Sequence, residues 1–218
     1  EQKTGVNVEV VGKICDKIKK IVNMGVEVSI VVGGGNFWRG RTSEKIDRPK
    51  ADGIGMLATI MNCMYVSEIF RTEGMDTDVF TPFTCGTWTK LFSKDEAVNG
   101  LKAGKVCFFA GGTGHPYFST DTGIVLRAIE LDADAILLAK AIDGIYDSDP
   151  KKNPNAKKYD TISFHDVLNK DLAVMDSTAA SLCKDNNLPI LVFSIEDPEN
   201  IYKAVCGENI GTIVTANN

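Results

Sequence analysis

The chain has 218 residues, 44% of them hydrophobic and 24% charged, with a formal net charge of −5. That composition excludes a disordered polymer and leaves room for a substantial core, in one large domain or two small ones. No strong basic run points to a nucleic-acid backbone, and the longest apolar runs, such as AILLAKAI, fall short of a bilayer span, so neither nucleic acid nor membrane is expected as a partner.

Val11, Ile14, Ile18 and Ile21 recur at three- and four-residue spacing. They predict a helix over 8–24 that stops at Gly25. VEVSIVV (26–32) alternates like a strand and runs straight into Gly33, Gly34 and Gly35. A long helix is expected over 53–71, carrying Met56, Met61 and Met64 and ending by Gly74. DTDVFTP reads as a short strand, 92–103 as a helix, and KVCFFAGGTG as a strand that again ends in glycines. TDTGIVLRAIELDA is a helix and DAILLAK the strand after it. This alternation implies a mainly parallel sheet with helices on both faces, an α/β class. The polar stretch DSDPKKNPNAKKYD (147–160) reads as a surface loop marking a subdomain change within one compact unit. Two short helices (163–171 and 176–187), the strand LPILVFSI, a helix from about 197 and the strand GTIVTA complete the chain.

The cysteines, at 15, 63, 85, 107, 183 and 206, form no CxxC and no zinc spacing with histidine. Four sit among apolar neighbours and read as small core residues, in keeping with a reducing, cytoplasmic location. No signal peptide is visible. The chain opens on Glu1 without methionine, so further residues upstream are expected.

Both glycine corners follow a strand. Ligands of parallel α/β sheets bind beyond the carboxyl ends of the strands. Glycine there lets the backbone approach a ligand and aim consecutive N–H groups at an anion such as phosphate. Arg39 could add a planar charged fork. A tight turn without a ligand is the alternative for either corner alone. Neither corner is a Walker loop, and GGTGHP has proline where a dinucleotide fingerprint needs glycine.

The segments GGGNFWRG, DGIGMLATIMN, GGTGHPYFSTDT, ADAILLAKAIDGIYDSDP and VMDSTAA occur in this order. On them the chain resembles the bacterial uridylate (UMP) kinases of the amino acid kinase superfamily over essentially its whole length. The resemblance implies a three-layer α/β/α sandwich. It implies transfer of the γ-phosphoryl group of ATP to UMP with Mg2+, by a homo-oligomer, typically a hexamer, often under GTP and UTP control. It places residues 1–140 mainly on the UMP side and 141–218 mainly on the ATP side. Gly34 then lies at the UMP phosphate, and Gly35 and Arg39 near the ATP phosphates. Asp52 holds the ribose. Thr113, Gly114, His115, Pro116, Tyr117, Phe118, Ser119 and Thr120 wrap UMP and read uracil. Asp121 organises the transfer centre together with Arg39. Lys140, Tyr146 and Asp149 contact ATP, with Tyr146 against adenine. No resident metal site among the side chains is implied.

The family's opening strand, with its lysine on the ATP phosphates, has no counterpart here; a shortened form of an active kinase is expected, an inactive nucleotide-binding subunit being the alternative. Another superfamily member, a carbamate, acetylglutamate or aspartate kinase, is a further alternative. His115 stands where many relatives have asparagine, and Trp38 where phenylalanine is usual. Simpler roles stand beside the functional ones. Asp52 could cap the helix expected from Gly53 as well as bind ribose. Asp149 before Pro150 could be a turn residue, Tyr146 a core aromatic, and Lys140 a lysine snorkelling from a strand end. Asp176 reads as a helix cap, His165 as an ordinary helix residue, and the methionine stripe as core or subunit interface.

Overall fold

The computed structural model of the chain describes residues 5–38, 46–172 and 174–216. It divides into two compact units, residues 1–124 and 125–218.

In the first unit, α1 (Val8–Asn23) starts at Asn7, whose side chain accepts the Glu9 and Val10 amides. It buries Val11, Cys15, Ile18 and Ile21 and ends before Gly25 at φ +88°. Cys15 thus takes the place the spacing had given to Ile14. β1 (Ser29–Val31) follows, then the long α2 (Arg48–Thr72), β2 (Thr77–Thr81), the two-residue β3 (Lys90–Leu91), α3 (Lys94–Lys102) and β4 (Val106–Phe109). The strands lie in the order β1-β4-β2-β3, all parallel, with Val31 opposite Phe109 and Phe80 opposite Phe109 on the other side. β2 and β4 are buried at every position; β4, VCFF, is a continuous apolar run, whereas β2, TDVFT, carries Thr77, Asp78 and Thr81 into the interior. Phe70, Phe80, Phe92, Phe108 and Phe109 form the aromatic core, with ring pairs 5.4–6.4 Å apart.

α2 is long and apolar enough to cross a membrane by length and composition. It is a core helix instead: it packs on β2, β4 and α1 and buries Thr59, Asn62 and Ser67 in hydrogen bonds. Met56 and Met64 are half-buried on it, while Met61 is exposed.

β2 also buries a carboxylate. Asp78 is 7% exposed and pairs with Lys90 at 2.9 Å and Lys105 at 3.2 Å. Burial works against its charge, yet the two lysines hold its carboxyl below the ordinary value. Folding therefore gains from Asp78 ionisation above the unfolded pKa of about 4, and the gain is lost as pH falls through the lower folded value. Asp78→Asn should thus be less stable than the parent at pH 7. The gap should narrow below about pH 4. Urea melts of both proteins across pH check this, and a gap that stays constant with pH refutes it.

α4 (Thr120–Glu130) contains the division between the units. In the second unit follow β5 (Ile136–Lys140), β6 (Thr161–Ser163), α5 (Phe164–Asn169), α6 (Ser177–Asp185), β7 (Ile190–Ser194), α7 (Glu199–Val205) and β8 (Gly211–Thr215). The strand order is β5-β7-β8-β6, with β7 and β8 antiparallel and the other pairs parallel. Asp176 caps α6 by accepting the Ala179 amide, as its sequence context suggests. Cys15, Cys63, Cys107 and Cys183 are buried, and burial raises each of their thiols, to about 11 or 12. They are inert core residues, as expected.

Candidate functional site

Val31 and Phe109 are register partners on adjacent parallel strands, so the corners at 33–35 and 111–114 leave the sheet side by side. α2 joins them. Gly34 lies against its backbone: a Cβ there would sit 2.9 Å from the Gly55 carbonyl oxygen and 3.0 Å from the Ala58 Cβ. Thr59 Oγ1 accepts the Gly111 amide at 2.8 Å. Asn62 Nδ2 donates to the Gly33 carbonyl and to Asn36 Oδ1, each at 2.7 Å. Trp38 Nε1 donates to the Ala51 carbonyl at 2.9 Å. Asp52, Gly55, Thr59 and Asn62 follow one another at intervals of three and four residues, which makes them a single helical face.

The second corner is strongly turned. Gly111, Gly112 and Gly114 have φ of +79°, +57° and +81°, and a Cβ at Gly111 would come 2.9 Å from Pro82. Only glycine fits that combination. Gly112 also lies close under α4, since a Cβ on Gly123 would come 3.1 Å from its Cα. Many of this corner's amides already have internal acceptors: Gly111 on Thr59, Gly114 on the Gly111 carbonyl, His115 on Thr113 Oγ1. Among the described residues the N–H groups of Gly33, Gly34, Gly112 and Thr113 have none. Paired corners that present such donors suit an anion.

Asp52 sits over the loop that follows. Its Oδ2 accepts the Tyr117 amide at 2.8 Å, and both its oxygens accept from Arg48 Nε, at 2.9 and 2.8 Å. The expectation that Asp52 caps a helix is corrected. α2 begins at Arg48, with Pro49 in its first turn and Asp47 at the cap position, so Asp52 lies inside it. Proline is pre-organised for a first turn, where its missing N–H costs nothing, and so the helix starts earlier than the run from Gly53 suggested. Tyr117 holds φ +71°, and its ring and that of Phe118 are exposed. Pro116 and Thr113 are half-buried and His115 is exposed. Ser119 Oγ accepts the Thr122 amide at the start of α4, where Thr120 and Asp121 form the first turn. Gly35 is exposed in the turn after Gly34. Arg39 lies outside the described residues.

In the second unit, Lys140 ends β5 and its ammonium donates to the Val174 carbonyl. Tyr146 is half-buried and donates its hydroxyl to Asp143 at 2.9 Å. That hydrogen bond raises the tyrosine above its ordinary value. Asp143 pairs in turn with Lys158 at 3.3 Å. Asp149 is exposed and folds the following turn, accepting the Lys151 amide on Oδ1 and the Lys152 and Asn153 amides on its carbonyl. The turn role weighed from sequence is therefore real.

The model of the amino acid kinase family matches residues 3–194. The chain belongs to that family. Among solved structures it is similar to the UMP kinase from Bacillus anthracis, with TM-score 0.95 and 36% identity over 100% of this chain and 91% of that one. It is similar to the UMP kinase from Ureaplasma parvum at TM-score 0.90 and 36% identity, covering 98% and 94% of the two chains. The uridylate kinase from Archaeoglobus fulgidus matches at TM-score 0.75 and 26% identity, over 95% and 93%. The α/β class with mainly parallel strands, and the resemblance to UMP kinases, both stand.

For this amino acid kinase chain, sequence reasoning picked out the glycine corners, the loop and Asp52. It missed Arg48, Asn36, Thr59 and Asn62. The available signal was the recurrence of polar or small residues at 52, 55, 59 and 62 in an otherwise apolar helix, a stripe facing something other than core.

Proposed function

We propose that the chain is a UMP kinase, a phosphotransferase that moves the γ-phosphoryl group of ATP to UMP and yields UDP and ADP. The observation that carries this reading is the α2 face, which binds both glycine corners and the 113–120 loop to one helix in the first unit. The UMP kinases at 36% identity support the choice of acceptor. In this reading Gly34 lies at the UMP phosphate, Asp52 at the ribose, and Thr113–Thr120 around the base. Gly35, Arg39, Lys140, Tyr146 and Asp149 serve ATP, and Asp121 with Arg39 serves the transfer centre.

Phosphoryl transfer asks for alignment and neutralisation of charge rather than a protein nucleophile. ATP enters as its magnesium complex. The described residues hold no group of three side chains able to bind a metal, and Mg2+ is commonly held by one or two carboxylates with substrate phosphates, so a phosphate-borne ion fits this donor set. A homo-oligomer is part of the proposal, up to a hexamer and open to GTP and UTP; exposed Leu57, Met61 and Tyr65 on α2 support self-association. A cytoplasmic location belongs to the same reading.

Coupled ADP release with UMP and CMP as acceptors tests the reaction. Turnover with UMP is expected. UMP binding without turnover identifies an inactive nucleotide-binding subunit instead. Asp52→Asn should weaken UMP binding more than ATP binding, because one carboxylate charge at the ribose is lost. Titration calorimetry with each nucleotide checks this, and equal weakening removes Asp52 from the acceptor site.

A further inference from the structure

Deepening the UMP kinase reading, on which it rests, we propose that Arg48 is a positioning residue for the acceptor nucleotide, holding Asp52 and the Tyr117 loop in the geometry that receives it. Three contacts close a ring. Arg48 Nε donates to both oxygens of Asp52, at 2.9 and 2.8 Å. The same guanidinium lies over the Tyr117 ring, 5.3 Å from its centroid. The Tyr117 amide returns to Asp52 Oδ2 at 2.8 Å. Arg48 is one turn before Asp52 on α2, so the helix itself fixes the spacing of the pair.

The ring has a task. Tyr117 is held at φ +71°, which a bulky aromatic residue leaves unless its surroundings enforce it. Its peptide N–H on Asp52 and its ring under Arg48 are the contacts that do so. Asp52 has its side chain 13% exposed and Arg48 36%, so the acid is nearly covered while the guanidinium forms its outer wall. A carboxylate can accept about four hydrogen bonds, so Asp52 retains capacity for a ribose hydroxyl while bonded to Arg48 and Tyr117. Arg48 thus acts through Asp52 and Tyr117, not on the transferring phosphoryl group.

Removing the guanidinium should therefore loosen acceptor binding and leave the donor side and the chemical step alone. In steady-state assays Arg48→Gln should raise KM for UMP about tenfold, with KM for ATP and kcat within about threefold of the parent. Arg48→Lys should fall in between, since it keeps the charge and loses the planar fork and the stacking. Equal rises in both KM values, a fall in kcat alone, or an unchanged KM for UMP overturns the proposal. Hydrogen exchange on the nucleotide-free protein reads the positioning directly. The Tyr117 amide should exchange at least about tenfold faster in Arg48→Gln, while the amides of 58–63 in α2 keep their protection. Exchange at Tyr117 that does not change overturns the proposal whatever the kinetics. If the parent protein fails to phosphorylate UMP, the kinase reading falls, and faster exchange in the variant still supports the hold of Arg48 on the loop.

Discussion

Asn62→Leu should abolish most acceptor use and cost about 2–3 kcal/mol of stability. Leucine is bulkier than asparagine, so some overpacking against the first corner is expected as well. The hydrogen bonds are lost. Asn62 is 6% exposed and is the only described side chain that donates to the Gly33 carbonyl; it also exchanges bonds with Asn36 at 2.7 and 3.3 Å. The substitution takes the side-chain donor from the Gly33 carbonyl and puts an apolar group against it, while the Asn36 amide keeps the Gly5 carbonyl at 3.0 Å; a polar group covered in that state costs about 1–3 kcal/mol. The first corner then loses its tie to α2. A misplacement near 1 Å at a reacting group costs roughly 100-fold in rate, so kcat/KM for UMP should fall by about that factor. Urea denaturation and ADP release measure the two effects. A destabilised protein with unchanged kcat/KM would show that the corner is placed without Asn62. Thr59→Val makes the parallel cut at the second corner by removing the acceptor of the Gly111 amide.

Local pattern carried much of this fold. The α1 face, β2 and β4, and the two glycine corners were legible because each is specified by residues within a few positions of one another. β3 was missed, since two exposed residues, Lys90 and Leu91, leave no alternation to detect. β6 was missed for the same reason of length. The start of α2 was misplaced because Arg48, Pro49 and Lys50 form a polar, proline-bearing stretch, whereas proline is tolerated in a helix's first turn. The bonds that organise the candidate site lay beyond any local rule. Asn36 and Asn62 are 26 residues apart, Thr59 and Gly111 are 52 apart, and Asp52 and Tyr117 are 65 apart. The stripe at 52, 55, 59 and 62 sets Asn62 apart from the apolar face of α2, but not from a solvated polar residue until the Gly33 corner is folded beside it. The resemblance located these segments and gave Asp52 and the 113–120 loop their nucleotide roles, but not the bonds that tie them to one another.

Gly34→Ala should disable the site, and comparison with Gly33→Ala separates two reasons for a glycine. At Gly34 the added Cβ meets the Gly55 carbonyl oxygen at 2.9 Å, the Ala58 Cβ at 3.0 Å and the Thr59 nitrogen at 3.2 Å. These are largely backbone atoms of a buried helix and cannot step aside, so overpacking of about 1–3 kcal/mol is expected. The strain is relieved by moving the corner, which takes its amides away from where the proposed reading seats the acceptor phosphate. At Gly33 the same Cβ meets nothing within 4 Å. Gly33→Ala should therefore fold with stability within about 0.5 kcal/mol of the parent. Its methyl group nevertheless enters the open space beside the unpartnered amides, where the proposed reading seats an anion. UMP affinity in Gly33→Ala should then fall about tenfold, a loss near 1.4 kcal/mol, with no matching loss in the melt. Gly34→Ala should lose both. Calorimetric titration with UMP beside thermal melts decides the matter. A Gly33→Ala protein that binds UMP as well as the parent would mean that this corner serves only the packing of α2.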